Sequence, residues 1–450
     1  MMIYTKFATR ISRSRSVGRL SWSVADRWRR SPVVLLLGVV LAIGACQKSG
    51  PEPPERIILI VIDTLRPDFL TPYGSEVLTP TIGRLAAEGQ VFRNAVASYH
   101  QTTMSMAALF TGRTPSLESG SRARSLPWNG NSFCGMARFA KPPHDTACVP
   151  SALETLAEKL QTAGYWTIGV VSNRLLFAPY GFEQGFDQWV EVSGNQPVET
   201  EAAKRTGAGT RPADFVNRAA LKALTRRERD KFFLYLHYVD VHDWQQGAKG
   251  QRRDYGRSVE ALDRSLGKLL AELERQGLLE DATIIFTSDH GEALGEKHAL
   301  PGRPAHMGNP SFESVLRVPL IISPAHFDDS DRLVRSEDLL SLVMEMIGVP
   351  HEATSELRDQ ELLVTEAHYQ TYRYGHWKSV WPRGSETLHL FDLESDPQEL
   401  QDVAAEHPKV VQEHRDRITE LSETLATRRQ LAPQMSEEDR RRLRALGYLD

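Results

Sequence analysis

Short apolar runs alternate along the chain with segments whose apolar residues recur every three or four positions. The runs that begin at Arg56, Trp166, Phe232 and Ala282 are rich in β-branched and aromatic residues, which predicts buried strands. Segments such as 259–273 carry Leu and Val on one helical face, which predicts amphipathic helices. Because strand and helix alternate, we predict an α/β fold with a large mixed or mostly parallel sheet sandwiched by helices.

The pattern changes beyond about residue 360. Short strands are predicted at 362–364 and 388–391, followed by a helix from about 408 to 426. We therefore expect a main domain over residues 56–360 and a small C-terminal α+β subdomain with a helical tail over 361–450.

One helix start is predicted from a local signal. Ser151 and Glu154 have the spacing of a capping box, and Leu156 and Leu160 lie on the apolar face of the helix that would follow. Gly164 would end this helix.

Composition and charge narrow the classes of function. The 450 residues are 41% hydrophobic and 25% charged, with a formal net charge of −4. Residues 1–45 carry +7 and the remainder −11. An acidic body argues against a nucleic-acid binder, which needs a basic footprint.

The N-terminus has the pattern of an export signal. Basic sequence up to Arg30 precedes an apolar run at 33–43 that is short for a membrane span. Residues 43–46 resemble a bacterial lipobox, with Cys46 as the lipidated residue. We expect a signal peptide at 1–46, a linker at 47–55, and a protein exported and lipid-anchored to the bacterial cell envelope, on the periplasmic side or outer membrane. The alternative is an uncleaved signal anchor.

The two remaining cysteines are Cys134 and Cys148. An even pair in an exported protein favours a disulfide. Two reduced structural cysteines are the alternative.

Candidate chemistry lies where two predicted strands end. Asp289 and His290 follow the strand at 282–288, and Asp63 follows the strand at 56–62. Parallel strands bring their carboxyl ends to one rim, so these side chains can share a divalent cation, with a hydroxyl as a further ligand. The alternative for Asp289 is a helix cap next to a surface histidine.

Six motifs occur in a fixed order along residues 56–450: 63–66, 79–80 with 85–86, 108–112, 288–292, 318–320 and 391–397. This order resembles that of the sulfatases, in the alkaline-phosphatase superfamily. Residues 443–448 also resemble a tail common in the bacterial sulfatase-like branch.

The resemblance implies a nucleophile and a metal site. Counting back from Gly112 puts Thr102 where typical sulfatases carry the Cys or Ser that becomes formylglycine. Thr102 would begin a helix, where the dipole favours an alkoxide. Asp63, Thr102, Asp289 and His290 resemble the single-metal set of the threonine-nucleophile members. The residues do not distinguish Ca²⁺, Mn²⁺ and Zn²⁺. The alternative makes Thr102 an N-cap, with Thr103 or no residue as nucleophile.

The resemblance also implies substrate-side histidines. His242 matches a strand-end histidine that contacts substrate, where it can protonate the leaving oxygen. His306 follows the metal motif, where relatives place a substrate-side His or Lys. Lys297 and His298 are weaker candidates in the same loop. The alternative for each is a solvated surface residue.

Departures from the sulfatase pattern bear on the substrate. The signature asks for Cys, Pro and Arg at positions 102, 104 and 106, where this chain has Thr, Met and Met. Asn173 lies near the position of a sulfate-gripping Lys, and Thr64 replaces a second metal-binding Asp. Formylglycine chemistry is therefore excluded, and a singly charged phosphodiester or phosphonate monoester is favoured.

One metal ion is expected rather than two. A second site would need an Asp-x-x-x-His pattern, but Asp240 is followed at that spacing by Trp244. The leading hypothesis is a lipid-anchored hydrolase of a small-molecule or envelope sulfate or phosphate ester. The alternatives are an envelope phosphoryl-group transferase and a catalytically silent binding lipoprotein.

Overall fold

The computed structural model describes residues 53–115, 136, 148–192, 212–242, 251–301, 309, 311–366 and 368–425. The predicted signal peptide with Cys46, together with Cys134, His306 and the tail at 443–448, lies outside the described residues. Cys148 is buried and disulfide-bonded. Among the described helices, none combines the length and the apolar character that a membrane crossing requires.

Seven strands of the described chain form the main sheet, in the order β2-β8-β7-β1-β6-β4-β5. They are β1 (Arg56–Ile62), β2 (Gln90–Phe92), β4 (Trp166–Val171), β5 (Gln188–Glu191), β6 (Phe232–Tyr238), β7 (Ala282–Ser288) and β8 (Leu320–Ser323). Strand β8 pairs antiparallel with both of its neighbours, and the pairs on the other side of β7 are parallel. The sheet is therefore mixed but mostly parallel, which confirms the predicted fold class.

Helices cover both faces of this sheet. They are α1 (Pro80–Glu88), α2 (Thr102–Thr111), α3 (Leu156–Thr162), α4 (Pro212–Leu224), α5 (Gln251–Arg275), α6 (Glu313–Leu316), α7 (Asp338–Met346) and α8 (Pro408–Thr424), of which α8 belongs to the C-terminal part. Alternate residues of β1 point to opposite faces. Ile57, Leu59 and Val61 pack with α2, α3 and α7, whereas Ile58 and Ile60 pack with α1, α4 and α5.

The predicted capping box at Ser151 is wrong. Helix α3 begins at Leu156, and the box forms one turn later. The Thr155 hydroxyl accepts a hydrogen bond from the Glu158 amide (3.2 Å), and the Glu158 carboxylate accepts one from the Thr155 amide (2.8 Å). Two such patterns follow each other in the sequence, and the first lies in a turn closed by a bond from the Leu153 amide to the Pro150 carbonyl.

The C-terminal part is a four-stranded antiparallel sheet covered by α8. Its strands are β10 (Glu361–Thr365), β11 (Tyr369–Tyr374), β12 (Trp377–Pro382) and β13 (His389–Asp392), and a small separate ladder joins β3 (Ala95–Val96) to β9 (Val334–Arg335). Lys378, fully buried on β12, lies 2.9 Å from a Glu313 carboxylate oxygen and 2.8 Å from one of Glu399. This ion pair network ties the small sheet to α6.

Candidate metal centre

Adjacent strands deliver the two acids to one edge of the sheet. Strands β1 and β7 pair in parallel with Ile62 opposite Ser288, so Asp63 and Asp289 follow at the same level. Both acids are buried. The edge is the one at the carboxyl ends of the parallel strands, where ligands bind in such sheets.

Thr64, which follows Asp63, has a left-handed backbone conformation and contacts Asp289. Thr64 has φ of 60°, a conformation that costs a non-glycine residue about 1 kcal/mol or more. Its amide donates to Asp289 Oδ1 (3.1 Å), and its carbonyl accepts from the Tyr255 hydroxyl (2.6 Å). These bonds hold the strained residue and orient the Asp289 carboxylate.

Unpartnered buried atoms converge at this point. His290 Nε2 lies 3.7 Å from Asp289 Oδ2 and 3.9 Å from Asp63 Oδ1. His237 Nε2, on β6, lies 3.8 Å from the same Asp289 oxygen. None of these four atoms has a hydrogen-bond partner in the described part of the chain. Buried polar atoms are normally satisfied, so this cluster fits a divalent cation held by two carboxylates and an imidazole.

The second nitrogen of His290 supports this arrangement. Its Nδ1 lies 2.8 Å from the Gly291 carbonyl oxygen. When Nδ1 donates to this carbonyl, Nε2 carries the lone pair that a cation needs. Close packing behind the loop leaves Gly291 no room for a side chain, since a Cβ there would lie 2.3 Å from the Ser314 carbonyl oxygen.

The two carboxyl groups have opposite pKa shifts. Burial raises the pKa of Asp63, and the nearby Asp289 carboxylate adds to that rise. Burial also acts upward on the pKa of Asp289, but His290 and His237 outweigh it and lower this pKa below its usual range. Two acids that share one buried space resist carrying two negative charges unless a cation joins them.

The Thr102 hydroxyl is brought to the acids by Asn173. Thr102 is fully buried and is the first residue of α2. The Asn173 amide nitrogen donates to Asp63 Oδ2 (2.6 Å) and lies 3.4 Å from Thr102 Oγ1. Asn173 Oδ1 accepts from the Leu175 amide (2.9 Å), which fixes the orientation of the side-chain amide. One donor thus contacts both an acid and the predicted nucleophile.

The other predicted site residues have different positions. His242 is buried beyond the end of β6, close enough to Asp63 to oppose the rise in the pKa of that carboxyl group. His306 lies outside the described residues. Lys297 and His298 line a cavity of about 570 Å³ whose lining includes neither Asp63 nor Thr102.

Two residues that contact the site were not predicted to belong to it: His237 was not singled out at all, and Asn173 was noted only at the position of a lysine. His237 lies inside an apolar strand, and its register opposite Val61 turns it toward the acids. Asn173 follows β4, two residues after a third parallel strand ends. Both residues are polar and lie at or near the carboxyl end of a parallel strand. Searching the ends of β4 and β6 for such side chains, as well as those of β1 and β7, would have found them.

Comparison with known proteins gives a family match over most of the described sheet. A protein-family model described as Sulfatase matches residues 55–349. The N-acetylgalactosamine-6-sulfatase of Rattus norvegicus is 28% identical over 377 residues, which cover 74% of this chain and 69% of the rat protein. The N-acetylgalactosamine-6-O-sulfatase of Bacteroides thetaiotaomicron is 23% identical, covering 88% of this chain and 98% of the bacterial protein.

A solved structure shares the fold. The crystal structure of the phosphonate monoester hydrolase of Agrobacterium radiobacter superposes with a TM-score of 0.57 at 16% sequence identity. The superposition covers 83% of this chain and 96% of that enzyme.

Proposed function

The chain belongs to the sulfatase family of hydrolases, and from that premise we propose that it cleaves a singly charged phosphorus ester with Thr102 as nucleophile. The observation that carries this proposal is that Asn173 links the Thr102 hydroxyl to the acid whose other oxygen belongs to the buried, unpartnered cluster. Asn173 contacts both Thr102 and Asp63, so the hydroxyl and the acid cluster form one site.

Asp63, Asp289, His290 and the Thr102 hydroxyl would hold the metal ion. A divalent cation bound there supplies positive charge that favours the alkoxide form of a hydroxyl and offsets charge on the transferring group. Thr102 also begins α2, whose amides and dipole favour negative charge at its first turn. The chain therefore provides an anion-stabilising environment at this hydroxyl.

The reaction would proceed in two displacements. In the first, the Thr102 hydroxyl gives its proton to solvent, its oxygen bonds to phosphorus as the bond to the leaving oxygen breaks, and His242 supplies the proton that the leaving oxygen takes up. In the second, water attacks the same phosphorus in line and gives a proton back to His242, and Thr102 recovers its hydroxyl with a proton from solvent.

The donor set argues for phosphorus over sulfur. A sulfate ester of threonine lacks the elimination route that an aldehyde hydrate gives, whereas a phosphoryl-threonine can be released by attack of water. Asn173 is a neutral amide where typical sulfatases are expected to carry a lysine, so little positive charge is available to neutralise a doubly charged substrate. The named activities of the relatives favour the second candidate, a sulfate ester.

The remaining expectations complete the proposal. Residues 1–46 act as a lipoprotein signal, and lipidated Cys46 anchors the protein to the bacterial envelope through a linker at 47–55. Residues 56–360 form the catalytic domain, and residues 361–450 form the C-terminal subdomain. The substrate is then a small-molecule or envelope ester, and nucleic acid is not a partner.

A substrate panel tests the proposal. Purified protein from Gln47 onward, loaded with Mn²⁺, Zn²⁺ or Ca²⁺, is assayed on an aryl phosphodiester, an aryl phosphonate monoester, an aryl phosphate and an aryl sulfate. We expect turnover of the two monoanionic phosphorus esters, and a loss of at least about a thousandfold in Thr102→Ala. Thr103→Ala, in the same helical turn, is the matched control and should retain turnover.

The other outcomes decide between the alternatives. Preferred cleavage of the aryl sulfate would overturn the phosphorus assignment. Transfer to an added alcohol in place of water would identify a transferase. Absence of turnover with every metal and ester would leave a binding lipoprotein.

A further inference from the structure

We propose that His237 is an additional ligand of the metal ion, and that the resulting set of two carboxylates and two imidazoles selects a nitrogen-preferring transition ion of the Zn²⁺ class over Ca²⁺. This inference rests on the proposed function, because it concerns the same ion. It adds a residue that the sequence does not single out and a chemical class for the cofactor.

The buried position of His237 favours a bound cation as its partner. The side chain is fully buried on β6, and neither ring nitrogen has a hydrogen-bond partner in the described part of the chain. A buried polar group without a hydrogen-bond partner destabilises the folded state. A cation that accepts the lone pair of one nitrogen would offset this cost.

The distances suit one ion. The closest ligand atoms of Asp63, His237 and Asp289 all lie within 4.8 Å of one another, and His237 Nε2 is 3.8 Å from Asp289 Oδ2. Bonds of about 2.0–2.2 Å at tetrahedral angles separate two zinc ligands by roughly 3.3–3.6 Å. Side-chain shifts of about 1 Å or less would therefore bring all three ligands onto one ion.

Strand register explains how His237 reaches the acids. It pairs with Val61 across the parallel β1–β6 ladder, so the two side chains point to the same face of the sheet. Helix α2, with Thr102 at its start, packs on that face with Val61. Since Thr64 stands where the sulfatase pattern asks for a second acid, His237 supplies the donor that this position lacks.

The donor atoms then determine the metal class. Ca²⁺ prefers six to eight oxygen ligands, and this cluster offers two carboxylates. Imidazole nitrogen suits zinc and its transition-metal neighbours, and His237 and His290 present one such nitrogen each. Two carboxylates also balance the charge of a divalent ion.

Metal binding tests the inference without any substrate. The purified full-length protein is stripped with a chelator, and its affinities for Zn²⁺ and Ca²⁺ are measured by competition with a chromophoric chelator. Pulsed EPR of the protein loaded with less than one equivalent of Cu²⁺ then counts the coupled imidazole nitrogens. We expect Zn²⁺ to bind at least about a hundredfold more tightly than Ca²⁺, with two imidazoles coupled.

Two variants sharpen the measurement. His237→Gln keeps a polar side chain of similar reach, and it should weaken Zn²⁺ binding about 10–100-fold and remove one imidazole coupling. His326→Gln is the matched control, because His326 contacts Thr283 near the opposite end of β7 (2.8 Å). Thermal melts of the metal-free variants show whether each one folds. If a variant does not fold, the number of coupled imidazole nitrogens in the unmutated protein still tests the ligand assignment.

The contrary outcomes are distinct. Equal or tighter Ca²⁺ binding overturns the selectivity, and a single coupled imidazole in the unmutated protein overturns the ligand assignment. Weaker binding by His237→Gln with both couplings intact would make His237 a positioning residue, which also overturns that assignment. If the ion binds as expected but no ester is cleaved, the proposed function fails and this inference stands. If the esters are cleaved with Ca²⁺ alone, the proposed function stands and this inference fails.

Discussion

Asn173 connects the acid cluster to the candidate nucleophile through one amide nitrogen. Replacing it with leucine keeps the branched shape of the side chain but removes the bond to Asp63 (2.6 Å) and the contact with Thr102 (3.4 Å). We expect turnover to fall about 10–100-fold, as for other residues that orient a ligand, and stability to fall by about 1.5–3 kcal/mol. Steady-state kinetics and urea unfolding measure the two effects.

The control for this variant is Asn217→Leu. Asn217 is also buried, and it contacts the Tyr238 hydroxyl and the Ser265 carbonyl on the opposite face of the sheet. It should lose comparable stability while keeping its turnover at temperatures where it is folded. An equal loss of turnover in both variants would refute a positioning role for Asn173.

At the residue scale, the sequence predicts side chains at the ends of regular elements better than side chains within them. Asp63 and Asp289 directly follow strands, and Thr102 begins a helix, so local signals indicate each of them. His237 lies within an apolar strand, and only pairing with β1 reveals which face it occupies. Register is a tertiary property, which is why the sequence did not indicate this residue.

The loop after β7 depends on a close backbone approach at Gly291. A Cβ added there would lie 2.3 Å from the Ser314 carbonyl oxygen, which real structures do not tolerate. Gly291→Ala should therefore shift the loop, destabilise the protein by about 1–3 kcal/mol and weaken metal binding. Chemical unfolding and metal titration measure these changes.

Gly83→Ala is the matched control for that substitution. Gly83 lies within α1, and no described atom lies within 4 Å of an added Cβ. Alanine should leave metal binding unchanged and raise stability by about 0.5–1 kcal/mol, because it limits the unfolded chain and favours the helix. Equal behaviour of the two alanine variants would contradict the packing argument.

The small sheet is joined to α8 by a buried carboxylate. Both Glu361 oxygens accept hydrogen bonds from the Arg417 guanidinium at 2.9 Å, and one also accepts from the Tyr372 hydroxyl. Burial acts upward on the pKa of Glu361, but these bonds outweigh it and lower the pKa below its usual value of 4.5. The folded state therefore binds this proton less readily than the unfolded state.

The sign of the shift gives a pH dependence. A lowered native pKa contributes stability above about pH 4.5, and that stability is lost as pH falls through the native pKa. Glu361→Gln should cost about 2 kcal/mol at pH 7 and progressively less toward pH 3. Urea midpoints measured across this range should converge; parallel curves for the two proteins would contradict the assignment.

Helix and strand locations follow from the sequence where apolar periodicity is long. The 25-residue helix α5 contains the predicted segment 259–273 but begins eight residues earlier, at Gln251, and the strands β1 and β7 match the predicted segments. The start of α3 did not, because Ser151 and Thr155 each precede a glutamate at capping-box spacing. Thr155 also donates a hydrogen bond to the Gln184 carbonyl (3.0 Å), a contact remote in sequence that a local pattern does not reveal.

On the scale of the whole molecule, Lys378 connects the small sheet to helix α6 of the main domain. It is fully buried between Glu313 and Glu399. Lys378→Met leaves both carboxylates without this cation and should destabilise the protein by about 3–5 kcal/mol, measured by urea unfolding. Lys409→Met, which removes an exposed pair with Glu413, should change stability by less than about 0.5 kcal/mol. Similar losses of unfolding free energy in both variants would contradict the argument that the buried ion pairs stabilise the protein more than the exposed pair does.

The mostly parallel main sheet was predictable, because it depends on patterns that repeat within single elements, whereas in the small sheet β10 and β13 were predicted and β11 and β12 were not. The buried ion pairs of Lys378 with Glu313 and Glu399 were not predictable either, since these residues are far apart in sequence and each alone is typical of a solvated surface. Their pairing depends on how the two sheets pack.

Helix α2 is buried along its entire length from Thr102 to Thr111. Such a helix cannot slide or tilt without disturbing the close-packed interior around it. The hydroxyl of Thr102, the proposed nucleophile, is therefore held in a fixed position, and each ester would have to be oriented toward it. Evolution toward new ester substrates would then leave helix α2 unchanged and alter the residues around its first turn.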